Sequence, residues 1–89
     1  MEIAFSNSFQ KAAKKKFKKN KEAENKFWEV VSIFIADPFD RRLRTHKLTG
    51  DLNNLWSFSV DYDFRIVFFF SEPHTKAVFV DLGTHDEVY

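Results

Sequence analysis

The stretch Leu55–Phe70, LWSFSVDYDFRIVFFF, decides the fold of this chain. In its first part, aromatic or β-branched residues occupy every second position, and this period of two predicts a β-strand. The segment Asp61–Asp63 then breaks the pattern. The run Phe64–Phe70 that follows is apolar at all positions but one, which predicts a strand in the middle of a sheet. The two strands are therefore expected to form a hairpin around residues 61–63.

Arg65 is the charged residue that interrupts this second strand. A cation in a central strand is costly unless it has a partner or a function. Alternation places Arg65 with Val67 and Phe69 on one face of the sheet and the intervening residues on the other. Two helices are expected to cover the face opposite Arg65, so that Arg65 lies on an uncovered face. This position makes Arg65 the first candidate for a functional residue.

Two amphipathic helices are predicted before the sheet. An apolar residue recurs at every fourth position from Phe9 to Phe17, after candidate N-caps at residues 6–8. A second apolar stripe extends over Lys21–Ala36 and ends at Asp37-Pro38, because the residue before a proline avoids the α region. Asn20 between them is expected at the C′ position of the first helix, and together they predict a helical hairpin.

The remaining segments complete a β-α-α-β-β-β order. Residues 1–5 and 76–82 predict a first and a last strand, and residues 39–54 a basic loop. Residues 71–75 predict a turn, and residues 84–89 a closing helical turn. This order predicts an α+β domain: an antiparallel three-stranded meander carries the helical hairpin on one face, and the first strand pairs into the same sheet.

Composition restricts the class of protein. Eighty-nine residues suffice for one domain, covering residues 1–89. The absence of cysteine excludes a disulfide framework and a thiolate metal site. No signal peptide and no apolar run of roughly 20 residues are present, so a cytoplasmic protein is expected. Residues 1–48 hold 12 Lys/Arg against 6 Asp/Glu, whereas residues 49–89 hold 2 against 7. The basic half suits a polyanionic partner, although a solvated lysine face is the commoner explanation.

Several side chains are expected to meet at one end of the sheet. In an antiparallel pair, the start of the 64–70 strand lies beside the end of the last strand, so Arg65 and His85 can meet. Tyr89 follows His85 by one helical turn, and His46 precedes the sheet. An imidazole can move protons, a guanidinium can stabilise a phosphorane-like transition state, and a tyrosine can stack on a base. Such a group suits phosphodiester cleavage.

The nucleophile in a site without a metal would be the RNA's own 2′-hydroxyl, which predicts a ribonuclease that leaves a cyclic phosphate. Residues 85–87, His-Asp-Glu, do not have a strong ligand spacing, and no metal or cofactor is expected. A Ser-His-Asp triad lacks its nucleophile elbow, and two glycines are too few for a phosphate loop. On the residues alone, catalytic and structural roles for the histidines remain about equally supported.

Three segments resemble the RelE/StbE toxins of bacterial type II toxin–antitoxin modules, and most closely the branch of YafQ-like mRNA interferases. They are LRTHKL at 43–48, LWSFSVDYDFRIVF at 55–68 and DLGTHDEVY at 81–89. The resemblance implies a toxin that enters the ribosomal A site and cleaves mRNA there. It also implies a cognate antitoxin whose C-terminal segment covers the site, with DNA bound only through the antitoxin complex, and no membrane partner.

The resemblance also implies roles for individual residues. His85 matches the catalytic histidine near the C-terminus, Tyr89 the terminal aromatic residue, and Arg65 the strand arginine that holds the scissile phosphate. His46 matches a histidine before the sheet, and Asp63 matches an acid in the hairpin. The basic residues expected to hold RNA phosphates are Arg41, Arg42, Arg44, Lys47, Lys14, Lys15 and Lys18.

Two positions depart from the pattern of the YafQ-like branch. Ser59 stands where those toxins carry a second histidine, and Asp81 stands where they carry an arginine. An acid at 81 would repel phosphate if it faced the site, which predicts a reduced rate of cleavage and a weakened toxin.

Two alternatives stay open on sequence grounds. A ParE-type toxin shares the fold and inhibits DNA gyrase without catalysis, although it needs no cluster such as His46, Arg65 and His85. A third possibility is a protein that acts only in an antitoxin-bound repressor complex, and salt-sensitive operator binding would support it.

Overall fold

The computed structural model describes residues 1–50, 54–71, 75–84 and 88, and in these ranges two helices pack on one face of a five-stranded sheet. The elements are β1 (Glu2–Phe5), α1 (Asn7–Lys19), α2 (Lys21–Ala36), a 3₁₀ turn (Arg41–Leu43), β2 (His46–Lys47), β3 (Trp56–Ser59), β4 (Arg65–Ser71) and β5 (Lys76–Gly83). The strand order is β1-β5-β4-β3-β2. The predicted α+β arrangement is confirmed.

The helical hairpin forms around two polar caps. The Ser6 hydroxyl accepts a hydrogen bond from the Phe9 amide at 3.1 Å and begins α1. Asn20 ends α1 and begins α2, since its amide donates to the Phe17 carbonyl while its side chain accepts from the Ala23 amide at 3.0 Å. Asn20 has φ −148°, an extended conformation in place of the left-handed C′ conformation that we expected. Asn20 is also the N-cap residue of α2, and an N-cap residue adopts extended φ and ψ.

Phenylalanine rings form the core between the helices and the sheet. Phe34 of α2 is fully buried, and its ring centroid lies 4.8 Å from that of Phe58, 5.1 Å from Phe68 and 5.4 Å from Phe79. A second ring contact joins Phe9 of α1 to Phe79 of β5, with ring centroids 5.6 Å apart. Burial of each ring contributes about 2–3 kcal/mol to folding, so these contacts hold the helices on the sheet.

Strands β3, β4 and β5 form the predicted antiparallel meander, but the sheet as a whole is mixed. β1 pairs parallel with β5, with Phe5 opposite Phe79. The Ser6 amide donates to the Phe79 carbonyl at 3.0 Å, and the Ser8 hydroxyl donates to the Val80 carbonyl at 2.9 Å. These bonds attach the start of α1 to β5 and thereby set the direction of β1.

Strand β2 was not predicted, because two residues are too few to show an alternating pattern. It lies in the expected basic loop and pairs antiparallel with β3, where His46 is opposite Ser57. A β-bulge between Val67 and Phe68 is a second local feature that periodicity did not indicate.

The face of the sheet toward the helices carries the predicted residues, whereas the opposite face is more buried than predicted. Ile66 and Phe68 face the helices, as expected. On the opposite face, Ser57 is fully buried and Val67 is 3% exposed. The centre of that face is therefore covered, which corrects the expectation of an open surface beside Arg65. Arg65 itself is partly buried.

No helix in the described ranges combines the length and hydropathy needed to cross a bilayer. The predicted helical turn at the end of the chain falls mostly on residues 85–87 and 89, which lie outside the described ranges. The same holds for parts of the predicted loop, at 51–53, and of the predicted turn, at 72–74.

Candidate functional site

The register of the sheet places the candidate residues in two rows on the face away from the helices. Ser59, Arg65 and Gly83 are directly opposite one another on β3, β4 and β5. The adjacent row runs from Asp81 on β5 through Val67 and Ser57 to His46 on β2. Residues directly opposite in an antiparallel pair point to the same face. Arg65 and His46 therefore share one face.

Arg65 is held by its cross-strand neighbour. Its Nη1 donates a hydrogen bond of 3.0 Å to the hydroxyl oxygen of Ser59. Its Nε is buried and has no hydrogen-bond partner among the residues that the structure describes. A buried N–H of a guanidinium without a partner is costly, and an anionic group bound beside it would satisfy that donor. The arrangement suits the binding of a phosphate oxygen.

His46 has a defined tautomer because of one backbone contact. Its Nδ1 lies 3.0 Å from the carbonyl oxygen of Arg44, which can only accept, so Nδ1 donates. In the neutral ring Nε2 then carries the lone pair that can take a proton. Two strand spacings and two residues separate His46 from Arg65, which corresponds to about 12 Å between their Cα atoms.

Asp81 also lies on this face. It is opposite Val67, and so it is the diagonal neighbour of Arg65, about 7–8 Å away between Cα atoms. Its Oδ1 accepts a hydrogen bond of 2.8 Å from the amide of Leu82. The Asp81 carboxylate, at a position where the resemblance predicted an arginine, therefore lies on the same face as Arg65.

Asp63 belongs to the β3–β4 turn and is exposed. The residue that shapes this turn is Asp61, whose Oδ1 accepts from the amides of Asp63 and Phe64, both at 3.1 Å. This Asx turn was missed in the sequence, although an Asp two residues before another polar residue is its usual signal.

A cleft of about 270 Å³ connects this turn with the basic segment before the sheet. It is lined by Arg42, Arg44, Ser59, Val60, Asp61 and Tyr62. Tyr62 is 96% exposed, and Arg44 adopts the left-handed conformation at φ 54°. Ser59 thus lies between the cleft and Arg65. An exposed tyrosine at the tip of a hairpin was the signal in the sequence that could have indicated this cleft.

The predicted phosphate-binding residues are not equivalent. Arg42 forms a bidentate ion pair with Asp40, with N–O distances of 3.0 and 2.9 Å. The hydrogen bonds from Arg42 lower the pKa of Asp40 to about 2, and the carboxylate raises the pKa of Arg42. Arg41, Arg44 and Lys47 are exposed.

The lysines of α1 divide between two sides of the helix. Lys15 lines a cleft with Lys16, Lys19 and the end of β5 at Gly83, beside Arg65. Lys14 and Lys18 line a different groove, between α1 and α2. Lys15 thus lies near the edge of the sheet at Gly83 but on its helical side, and Lys14 and Lys18 lie farther from Arg65 in the other groove.

His85 and Tyr89 lie outside the described residues, so their assignment stays a prediction from the sequence. Within the described part of the chain, no three His, Asp or Glu side chains are grouped as metal ligands would be.

Solved structures share this fold along nearly the whole chain. YafQ from Escherichia coli strain BL21(DE3) is 19% identical with a TM-score of 0.79, over 99% of this chain and 97% of its own. A metal-bound toxin from Helicobacter pylori is 22% identical with a TM-score of 0.80, over 100% and 99%. YafQ in the E. coli DinJ–YafQ complex is 20% identical with a TM-score of 0.78, over 99% and 97%.

Among curated proteins no match was found. A family model described as the bacterial toxin of a type II toxin–antitoxin system, YafQ, matches residues 1–89. This match confirms the resemblance inferred from the three sequence segments. The chain therefore belongs to the YafQ family of toxins from bacterial type II toxin–antitoxin systems.

Proposed function

We propose that this toxin is a ribosome-dependent endoribonuclease that cleaves mRNA without a resident metal. The observation that carries the proposal is the Arg65 guanidinium, which lies on the sheet face that also carries His46 and is held by Ser59 at 3.0 Å. Its Nε is buried and has no partner in the described ranges of the chain. A cation fixed in this way is suited to the charge that develops on a phosphorane-like transition state.

The proposed reaction is an internal displacement at phosphorus. The RNA 2′-oxygen loses its proton to one imidazole and forms a bond to phosphorus. The bond from phosphorus to the 5′-oxygen of the next nucleotide breaks, and a second imidazole gives that oxygen a proton. The products are a 2′,3′-cyclic phosphate and a 5′-hydroxyl. His46 supplies one imidazole through Nε2, and His85 supplies the other by its match to the family pattern.

Neighbouring residues would position the RNA. Arg44 and Tyr62 line the cleft that adjoins Ser59, where they could hold a phosphate and stack on a base. Lys15 lines the cleft at the other end of the same row, beside Gly83. The negative charge of Asp81 repels RNA phosphates, and we infer that it lowers the affinity for RNA and the rate of RNA cleavage.

An antitoxin is the expected protein partner. E. coli YafQ was solved in complex with DinJ, and a family member of the same fold is expected to have a cognate partner of that kind. The proposed targets are the ribosome and its mRNA, so the toxin would act in the cytoplasm and would contact DNA only through the antitoxin complex.

Inducible expression with mapping of mRNA 5′ ends tests the proposal. Wild-type toxin should arrest growth and produce new cleavage ends within translated codons, whereas Arg65→Ala should remove both effects. The matched control is Lys76→Ala, an exposed cation at the far end of β5, where Lys76 is opposite Ser71. Full toxicity of Arg65→Ala would refute the assigned site. Growth arrest with gyrase bound and no mRNA cleavage would establish the ParE-type alternative instead.

A further inference from the structure

Arg44 adopts a backbone conformation that is uncommon for a residue with a side chain. Its φ of 54° and ψ of 39° lie in the left-handed region. Among the residues that the structure describes, no other residue apart from glycine has a positive φ. Such a conformation persists only where the surrounding structure enforces it, and it is enriched at functional sites.

Contacts on both sides of Arg44 hold it in this conformation. On the N-terminal side, Leu43 is buried in the core, and the Arg44 amide donates a hydrogen bond of 3.3 Å to the Arg41 carbonyl. On the C-terminal side, the Thr45 hydroxyl donates to the Pro38 carbonyl. The chain is thus fixed by burial before Arg44 and by a hydrogen bond after it, and Arg44 is the turn that joins the two.

This turn directs the Arg44 carbonyl toward His46. The carbonyl oxygen lies 3.0 Å from Nδ1 of the imidazole and can only accept, so in the neutral ring the proton is on Nδ1 and the lone pair is on Nε2. If Arg44 relaxed to the ordinary helical region, φ would change by about 120° and ψ by about 80°. A rotation of that size would turn the carbonyl away from the ring.

We propose that Arg44 is a positioning residue that fixes the tautomer of His46 through its backbone carbonyl, and that its left-handed conformation serves this purpose. The inference rests on the proposed function in one respect, namely that His46 exchanges a proton with RNA through Nε2. As a base, the neutral ring needs its lone pair on Nε2, and as an acid it is left with that lone pair after the proton has gone. In either role the neutral ring must carry its proton on Nδ1.

Two substitutions of Arg44 separate its backbone from its guanidinium. Arg44→Gly and Arg44→Val remove the same charge. Glycine adopts the left-handed conformation without a steric cost, whereas a β-branched side chain opposes it. The carbonyl should therefore stay at His46 in the glycine variant and leave it in the valine variant. Arg44→Ala opposes the conformation more mildly and replaces Arg44→Val if that variant does not fold.

Nitrogen NMR of the ¹⁵N-labelled toxin without RNA reads the tautomer of His46 directly. Long-range ¹H–¹⁵N correlation distinguishes a ring nitrogen that bears a proton from one that bears the lone pair. The spectra are recorded at about pH 8.5, well above the ordinary imidazole pKa near 6.5. His46→Gln assigns the signals among the three histidines of the chain. Wild type and Arg44→Gly should show the Nδ1–H form, and Arg44→Val should shift the majority of the population to Nε2–H.

Three results would overturn the proposal. The first is an Nε2–H form in the wild type, and the second is an Nδ1–H form that persists in both Arg44→Val and Arg44→Ala. The third is a loss of the Nδ1–H form in Arg44→Gly as large as in Arg44→Val, because the guanidinium and not the backbone would then set the tautomer.

Cleavage of a translated mRNA separates this proposal from the proposed function. Both variants lack the guanidinium and should share one KM, whereas kcat of Arg44→Val should be at least roughly fivefold below that of Arg44→Gly. Equal kcat values beside different tautomers would refute the role of His46 in the reaction and leave the positioning of its ring by Arg44 intact.

Discussion

Arg65 and Ser59 are cross-strand partners on β4 and β3, and their side chains are joined by a hydrogen bond of 3.0 Å from Nη1 to Oγ. By the sequence resemblance, Ser59 occupies a position where a histidine was expected, and in the structure its hydroxyl accepts a hydrogen bond from the neighbouring arginine. Nε of Arg65 is buried and, within the described residues, has no hydrogen-bond partner. Ser59 is therefore a positioning residue in the proposed site.

Replacement of Ser59 by alanine should lower kcat for RNA cleavage roughly tenfold, because a hydrogen bond to a charged group contributes about 1.5 kcal/mol or more. Ser59→Thr keeps the hydroxyl and should restore most of the activity. Single-turnover cleavage of a translated mRNA measures both. Ser32→Ala, at an exposed hydroxyl of α2, is the control and should change nothing. Wild-type kcat in Ser59→Ala would show that the contact does not position Arg65.

Removal of the carboxylate at Asp81 should strengthen RNA binding. A carboxylate on the face of Arg65 repels RNA phosphates, so Asp81→Asn should lower the Kd for an RNA oligonucleotide about fivefold at low salt, which corresponds to about 1 kcal/mol. Asparagine keeps the Oδ1 that accepts from the Leu82 amide. Glu29→Gln on the exposed side of α2 removes the same charge elsewhere and serves as the control. An equal gain in both variants would indicate a general effect of net charge.

The ion pair between Asp40 and Arg42 should make a small contribution to stability that depends on pH. The pKa of Asp40 is lowered to about 2, so the stabilisation is fully present above the unfolded value near 4 and is lost as the pH falls through 2. Asp40→Asn should therefore lower Tm slightly at pH 6 and by less at pH 2, where about half of the Asp40 carboxylates are protonated. Thermal unfolding at the two pH values measures this, and a difference in Tm of equal size at pH 6 and pH 2 would contradict the assignment.

The aromatic core should depend strongly on Phe34. Its ring is fully buried and contacts three other phenylalanines, so Phe34→Ala should cost about 3–5 kcal/mol in free energy of unfolding. Phe34→Leu should cost about 1–2 kcal/mol and keeps the test informative if the alanine variant does not fold. Phe39→Ala, at a ring 56% exposed, should cost much less. Urea denaturation compares the three variants.

A chelator should leave the proposed cleavage unchanged, because the nucleophile is the 2′-hydroxyl and the protons move through imidazoles. The same mRNA is cleaved in a translation extract with toxin that was dialysed against EDTA, with magnesium restored for the ribosome. Recovery of activity only after a transition metal is added would show that the proposal of metal-independent chemistry is wrong.

The amino-acid sequence by itself determined the two helices and the three-stranded meander. Their periods of 3.6 and 2 place apolar residues on one face, and each pattern is complete within a single segment. Arg65 was identifiable for the same reason, as a charge inside an apolar strand. The resemblance of three short segments to known toxins pointed to the family, which the match over residues 1–89 confirmed.

The tertiary structure alone decided how the segments meet. The parallel pairing of β1 with β5, the short strand β2 and the bulge beside Val67 depend on hydrogen bonds between residues far apart in the chain. The pairing of Arg65 with Ser59 and the approach of Asp81 to the same face follow from that register. Local periodicity carries no information about register between distant strands, and register determines which side chains become neighbours.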